Sequence, residues 1–192
     1  MDDWRKIGHL IQYLKGSQEL PLILGASKTG VLHWHVDASF ATHQNIRGHT
    51  GGALTMGTGC AVATLTKQKA NVHSSTIGEL VAVDEMMAQI LWTRLFMIAQ
   101  GVKVTNNILY QDNMSAIHLE KNGRASSSKR TKHIGIRYYY VADRIAKGYL
   151  SVVWCPTDKM IADYLTKPLQ GKVFRQFRDM LMGAVPMWFD TD

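Results

Sequence analysis

The apolar and polar positions of this chain alternate between two periods. The opening stretch DDWRKIGHLIQYLKG sets Trp4, Ile7, Leu10, Ile11 and Leu14 at helical spacing behind the capping residues Asp2 and Asp3, with Gly16 as a stop. Pro21 to Leu24 reads as a short strand and Gly25 to Gly30 as a turn. Val31 to Ala41, Gly51 to Thr58 and Cys60 to Thr66 read as three strands joined by polar or glycine-rich connections. From Ser75 to Gln100 the period is helical, with Ile77, Leu80, Val81, Met87, Leu91, Leu95 and Ile98 on one side and Gly101 at the end. Asn107 to Gln111 is a further strand, Asn113 to Asn122 a short helix and Gly123 to Ser128 a hinge. A basic helix over Lys129 to Lys147 is closed by Gly148 and followed by a strand, Tyr149 to Cys155. Asp158 to Thr166 reads as a helix broken by Pro168, and Gln170 to Met182 as a last amphipathic helix. Three meandering strands followed by alternating helices and strands predict an α/β domain with a mixed sheet.

A chain of 192 residues, 46% hydrophobic, suits one domain with a substantial core. Its most apolar long stretch, Leu80 to Ala99, contains Asp84, Glu85 and Arg94, which marks a core helix and not a membrane span. Cys60 and Cys155 are the only cysteines and show neither a CxxC nor a zinc spacing, as expected of free thiols in a reducing compartment. Met1 leads into Asp2, Asp3 and Trp4, not a signal peptide. The expected location is intracellular, cytoplasmic or nuclear. The net charge of +7 and pI near 9.5 favour a polyanionic partner, nucleic acid first. That charge is concentrated. Between Arg124 and Lys147 lie Arg124, Lys129, Arg130, Lys132, Arg137, Arg144 and Lys147 against Asp143 alone, the pattern of a phosphate-tracking surface. Ser126, Ser127, Ser128 and Thr131 add neutral donors at the presumed helix start. Asn113, Arg124, Ser127, Lys129, Arg130, Lys132, His133 and Arg137 are the candidate nucleic-acid contacts.

Acidic residues number only 15, so carboxylates inside apolar segments stand out. Asp37 and Asp112 each end a β-rich run, Glu79 lies near the start of the long helix, and Asp163 opens a short helix after the last strand. Buried carboxylates are costly unless paired or metal-bound, and a cluster of them can hold two divalent ions for phosphodiester cleavage. Each also has an ordinary reading: Asp37 and Asp112 as turn caps, Glu79 as a first-turn residue favoured by the helix dipole. Spacing alone leaves Asp158 open beside Asp163. His33 and His35 alternate with Asp37 on one strand face, and His35 reads as a packing residue about 6–7 Å from Asp37.

The stretches VDASFA, GHTGGALTMGTGCAVATLTKQK, SSTIGELVAVDE, LYQDNMSAIHLEKN, SSSKRTKHIGIRYYYVADRIAKG and VVWCPTDKMIADYLTKPLQGKVF resemble the RNase H domain that ends the polyprotein of copia-type LTR retrotransposons. WRKIGHLIQYLKGS resembles the linker helix before that domain, so nearly the whole chain is covered. The resemblance implies an RNase H-like α/β fold, a five-stranded mixed sheet flanked by helices, here with extra N-terminal and C-terminal helices. It divides the chain into a linker-like segment (1–30), a catalytic domain (31–168) and a C-terminal helix and tail (169–192). It implies hydrolysis of the RNA strand of an RNA–DNA hybrid, with a reverse transcriptase in the same polyprotein. Asp37, Glu79, Asp112 and Asp163 fall on the family's four metal-binding carboxylates, which selects Asp163 over Asp158. Asp37 would bridge two magnesium ions, with Glu79 and Asp112 completing one site and Asp163 the other; manganese would substitute. Ile77 and Gly135 stand where the family usually has acidic residues, and neither position is a metal ligand. The loop Cys155 to Ile161 lacks the histidine that many cellular RNases H carry there, leaving Asp158, Lys159 or water for proton transfer at product release. A decayed hybrid-binding or scaffold module, and a related-fold DNA nuclease or integrase, are the alternatives.

Overall fold

The computed structural model describes residues 3–42, 45–122 and 135–189. The elements are α1 (Asp3–Gly16), β1 (Gly25–Ala26), β2 (Val31–Ser39), β3 (His49–Thr55), β4 (Gly57–Thr58), β5 (Val62–Lys67), α2 (Ser75–Ala99), β6 (Asn106–Gln111), α3 (Met114–Asn122), α4 (Gly135–Ala146), β7 (Ser151–Trp154), α5 (Asp163–Thr166) and α6 (Gly171–Leu181). Five strands form one mixed sheet in the order β5-β3-β2-β6-β7. The β2–β3–β5 meander is antiparallel, while β6 and β7 join in parallel. β2 is central and buried throughout its nine residues, because both faces of the sheet are covered.

The period-2 pattern of β2 accounts for both layers. Leu32, Trp34, Val36 and Ala38 face a core built with Ala82, Val83, Met86, Met87 and Ile90 of α2, Ile117 of α3 and Val141 of α4. His33, His35 and Asp37 face the other way, toward Tyr110 and the C-terminal part of the chain. There α6 buries Phe177, Met180 and Leu181 with Ile161 and Ala53 in a second cluster. Two glycines in β3 make the layers thin. A side chain at Gly51 would meet Thr166 Cγ2 of α5 at 2.6 Å, and one at Gly52 would run into the Met86 side chain of α2. Gly51 is also the register partner of Asp37, so α5 sits directly over the neighbourhood of that carboxylate.

Several elements differ from the sequence expectation. Residues 21–24 form no strand; Ile23 N–H donates to the Met182 carbonyl at 2.8 Å, and the two-residue β1 pairs instead with β4. The strand expected over Gly51 to Thr58 is split, because Gly57 (φ +150°) bends the chain and its N–H is taken by Thr55 Oγ1 at 3.1 Å. The helix expected over Asp158 to Thr166 is a single 3-10 turn (Thr157–Lys159) followed by α5, with buried Met160, Ile161 and Ala162 turned into the core between them. On α2 the buried residues end at Thr93, so Leu95 and Ile98, expected on the core side, are exposed, together with Trp92 and Phe96. α1 is as expected a helix, yet it buries none of its residues. The hinge at 123–128 and the first part of the basic helix lie outside the described residues.

Candidate active site

The register of β2 and β6 pairs His35 with Tyr110, and the same offset sets Asp37 beside Asp112 at the C-terminal end of two adjacent parallel strands. That edge is where α/β sheets commonly gather ligand groups. Glu79 arrives from α2. The helix is capped by Ser74, whose side chain accepts from Ile77 N–H at 3.3 Å, and Gln68 donates its amide to the Gly78 carbonyl at 2.9 Å and to Thr50 Oγ1 at 3.2 Å. Gly78 lies against Val72 and Ala38 of β2, with room for a Cβ in ordinary contact, so the first turn of α2 packs on β2 beside Asp37. One ligand oxygen from each of Asp37, Glu79 and Asp112 lies within 4.8 Å of the others. Asp163, at the start of α5, adjoins this trio on the Asp37 side through a shared lysine. Lys167 Nζ is 2.7 Å from Asp163 Oδ1 and 3.8 Å from Asp37 Oδ1.

Neutral groups hold the carboxylates in place. Thr166 Oγ1 donates to Asp37 Oδ2, and Thr157 Oγ1 donates to Asp112 Oδ2 at 3.0 Å. Gln111 Oε1 accepts from the Asp112 and Asn113 backbone N–H groups at 3.0 and 3.4 Å. Thr157, Thr166, Gln68 and Gln111 carry no signal of their own in the sequence. Lys167 is the exception: its spacing of four from Asp163 is that of a helical ion pair.

The electrostatics are those of crowded anions. Burial, and then the charges of Asp37 and Asp112, push Glu79 up to about 10. Burial raises Asp37, opposed by the Thr166 hydrogen bond and Lys167 and reinforced by Asp112. Burial raises Asp163 to about 6 against the Lys167 hydrogen bond. Glu79 Oε2 is buried with no hydrogen-bond partner. A set of hard oxygen donors, one of them unpartnered, that cannot all ionise without added positive charge fits a divalent ion of the magnesium or manganese class.

The histidines of β2 belong to packing. His33 Nδ1 lies 3.1 Å from the Tyr110 hydroxyl, and His35 stacks on the Tyr110 ring at 4.7 Å. Burial lowers His35 to about 3 and His33 to about 4, so both rings are neutral. Of the nucleic-acid candidates, Asn113 and Arg137 are among the described residues. Asn113 caps α3, its Oδ1 accepting from Ala116 N–H at 3.1 Å. Arg137 lies 3.4 Å from Asp84 and ties α4 to α2. Arg144 stacks on Tyr140 and Tyr149, and Lys147 pairs with Asp143 at 2.9 Å. Arg124, Ser127, Lys129, Arg130, Lys132 and His133 lie outside the described residues.

With this geometry in hand, known proteins decide the lineage. The chain is 31% identical over 170 residues to a retrovirus-related Pol polyprotein from transposon RE1 of Arabidopsis thaliana, a match covering 88% of this chain and 12% of that protein. It is 28% identical over 181 residues to the corresponding polyprotein from transposon TNT 1-94 of Nicotiana tabacum, covering 94% of this chain and 13% of that one. The chain is a relative of retrotransposon Pol polyproteins. It spans about one-eighth of their length. Among solved structures, an RNase H1 isolated from compost by a metagenomic approach superposes with a TM-score of 0.54 at 10% identity, covering 71% of this chain and 93% of that one. The fold is that of RNase H. No protein-family model matches. Among the described residues no helix is long and apolar enough to cross a membrane.

Proposed function

We propose that this Pol-related chain is an endoribonuclease that hydrolyses the RNA strand of RNA–DNA hybrids with magnesium, as the RNase H part of a copia-type retrotransposon polyprotein. The observation that supports this reading most is the convergence of Asp37, Glu79 and Asp112 at the C-terminal edge of β2 and β6, with Asp163 adjoining. Asp37, Glu79 and Asp112 would hold one magnesium ion; Asp37 and Asp163 would hold a second. Bound there, the ions would supply Lewis-acid activation of water and neutralisation of the leaving 3′ oxygen. The protein's own groups aim the ligands. Thr166 orients Asp37, Thr157 orients Asp112, and the capped start of α2 delivers Glu79. Asp158 and Lys159, 3.6 Å apart on the exposed turn before α5, are the side chains nearest in sequence for proton transfer at product release. RNA preference would come from contacts to 2′-hydroxyls across the minor groove, with little base reading. The working context would be intracellular, with a reverse transcriptase in the same polyprotein.

Cleavage of an end-labelled RNA–DNA hybrid in magnesium, manganese and EDTA tests this directly. Products in the first two and none in EDTA are expected; equal cleavage in EDTA would contradict it. The basic segment has its own test. If Lys129 and Arg130 touch phosphates, replacing both with Ala should weaken hybrid binding equally for unrelated sequences. The dependence of log K on log salt should become shallower by about one unit for each phosphate no longer neutralised. An unchanged slope would make those residues part of a merely solvated face.

A further inference from the structure

Lys167 is a cation built into the cluster, and its position has a consequence for metal binding. It follows α5 directly, its backbone N–H donating to the Asp163 carbonyl at 2.9 Å, so a single turn of helix fixes it relative to Asp163. Its ammonium donates to Asp163 Oδ1 at 2.7 Å and stands 3.8 Å from Asp37 Oδ1. These are the two carboxylates that the proposed function assigns to the second ion. A magnesium ion needs oxygen ligands at about 2.0–2.1 Å. An ammonium already bound to Asp163 and leaning on Asp37 takes up the charge and the lone pair that such an ion requires. The remaining trio is arranged differently. Asp37, Glu79 and Asp112 present their ligand atoms within 4.8 Å of one another, and no lysine or arginine is bonded to Glu79 or Asp112 among the described residues.

We propose that Lys167 acts as a tethered competitor for the second ion, making the Asp37–Asp163 half of the site bind a divalent cation more weakly than the Asp37–Glu79–Asp112 half. The side chain is partly exposed while both partner carboxylates are buried, so it can turn outward without opening the core. The two halves of the site then fill in order, the trio first. Lys167 is a positioning residue in this scheme. It holds Asp163 against Asp37 in the metal-free protein and yields that place when the second ion arrives.

The inference rests on the two-ion reading above, and metal binding separates the two. Titrating the full chain with Mn2+ alone, followed by the EPR signal of free Mn2+, should give for the wild type one tighter site and one at least about tenfold weaker (~1.4 kcal/mol). Lys167→Met should tighten the weaker site by about tenfold and leave the tighter one within about twofold. Lys167→Gln keeps a hydrogen-bond donor but no charge, and should behave like Lys167→Met; it stands in for that variant if Met disturbs the fold. Lys167→Arg keeps the charge and should restore the wild-type ratio. A merely structural lysine would lower stability in all three variants and leave the ratio of sites unchanged, which would overturn the inference. A second site that is unchanged or weaker without the charge would also overturn it while leaving the two-ion reading intact. Failure of the wild type to bind Mn2+, or binding that survives Asp112→Asn undiminished, would overturn both.

Discussion

Asp112→Asn is expected to lower magnesium-dependent cleavage of an RNA–DNA hybrid by at least about a thousandfold, on the order of 4 kcal/mol of transition-state stabilisation, with the fold retained. The substitution keeps the shape of the side chain and removes one of the three carboxylates whose ligand oxygens meet within 4.8 Å. It changes nothing in the backbone geometry that places residue 112, because Gln111 and not the Asp side chain takes the local N–H groups. Asp112 also raises its neighbours: its charge is among the causes that push up Asp37 and Glu79. Removing it relieves repulsion in the metal-free protein, so the unfolding midpoint should stay level or rise. Loss of activity with no loss of stability is therefore the signature of a ligand. Cleavage at the wild-type rate would remove Asp112 from the site.

The second expected result concerns Glu120, a residue with no part in the chemistry. It lies on α3 with both carboxylate oxygens buried and without a hydrogen-bond partner. Burial raises it from 4.5 to about 8, opposed by Lys121. The folded protein thus keeps a proton that the unfolded chain releases above about pH 4.5. Its contribution to stability is complete below that pH and is lost as pH rises through about 8. The loss approaches ~1.4 kcal/mol per pH unit across this window and sums to on the order of 5 kcal/mol. Glu120→Gln fills the same space and binds no proton. Urea denaturation should find the variant close to wild type at pH 5 and more stable by on the order of 4–5 kcal/mol at pH 8.5. Equal stability of the two proteins at both pH values would mean that Glu120 is solvated or paired in solution.

Glu120 also illustrates what the sequence allowed to be read. Ala116, Ile117 and Glu120 are the buried residues of α3 and recur at helical spacing, so a charged residue on an apolar stripe was visible in MSAIHLEKN. The main sheet was legible for the same kind of reason, since β-rich runs were bounded by glycine and polar turns. The carboxylates stood out because acidic residues are scarce and these four interrupt apolar context. Other features were not legible, because they depend on what packs where. The apolar period of α2 runs on past the end of the sheet, so Leu95 and Ile98 keep the pattern of core residues while facing outward. Gly25 and Ala26 read as a turn because a two-residue strand has no period; only its pairing with Gly57 and Thr58 defines it. Arg137 was counted with the phosphate contacts on charge alone, and its ion pair with Asp84 on another helix could not be read from spacing. Thr166 and Lys167 join the site because Gly51 lets α5 lie flat on β3, an approach between residues more than a hundred positions apart.

The decisive measurement is cleavage of three duplexes of one sequence, RNA–DNA, RNA–RNA and DNA–DNA, by the same preparation in magnesium. An RNase H should cut the RNA strand of the hybrid internally, leave the other two intact, and lose that activity in Asp112→Asn. Cleavage of DNA–DNA would contradict the reading in favour of a DNA nuclease of related fold, and tight hybrid binding with no cleavage by the wild type would contradict it in favour of a non-catalytic module.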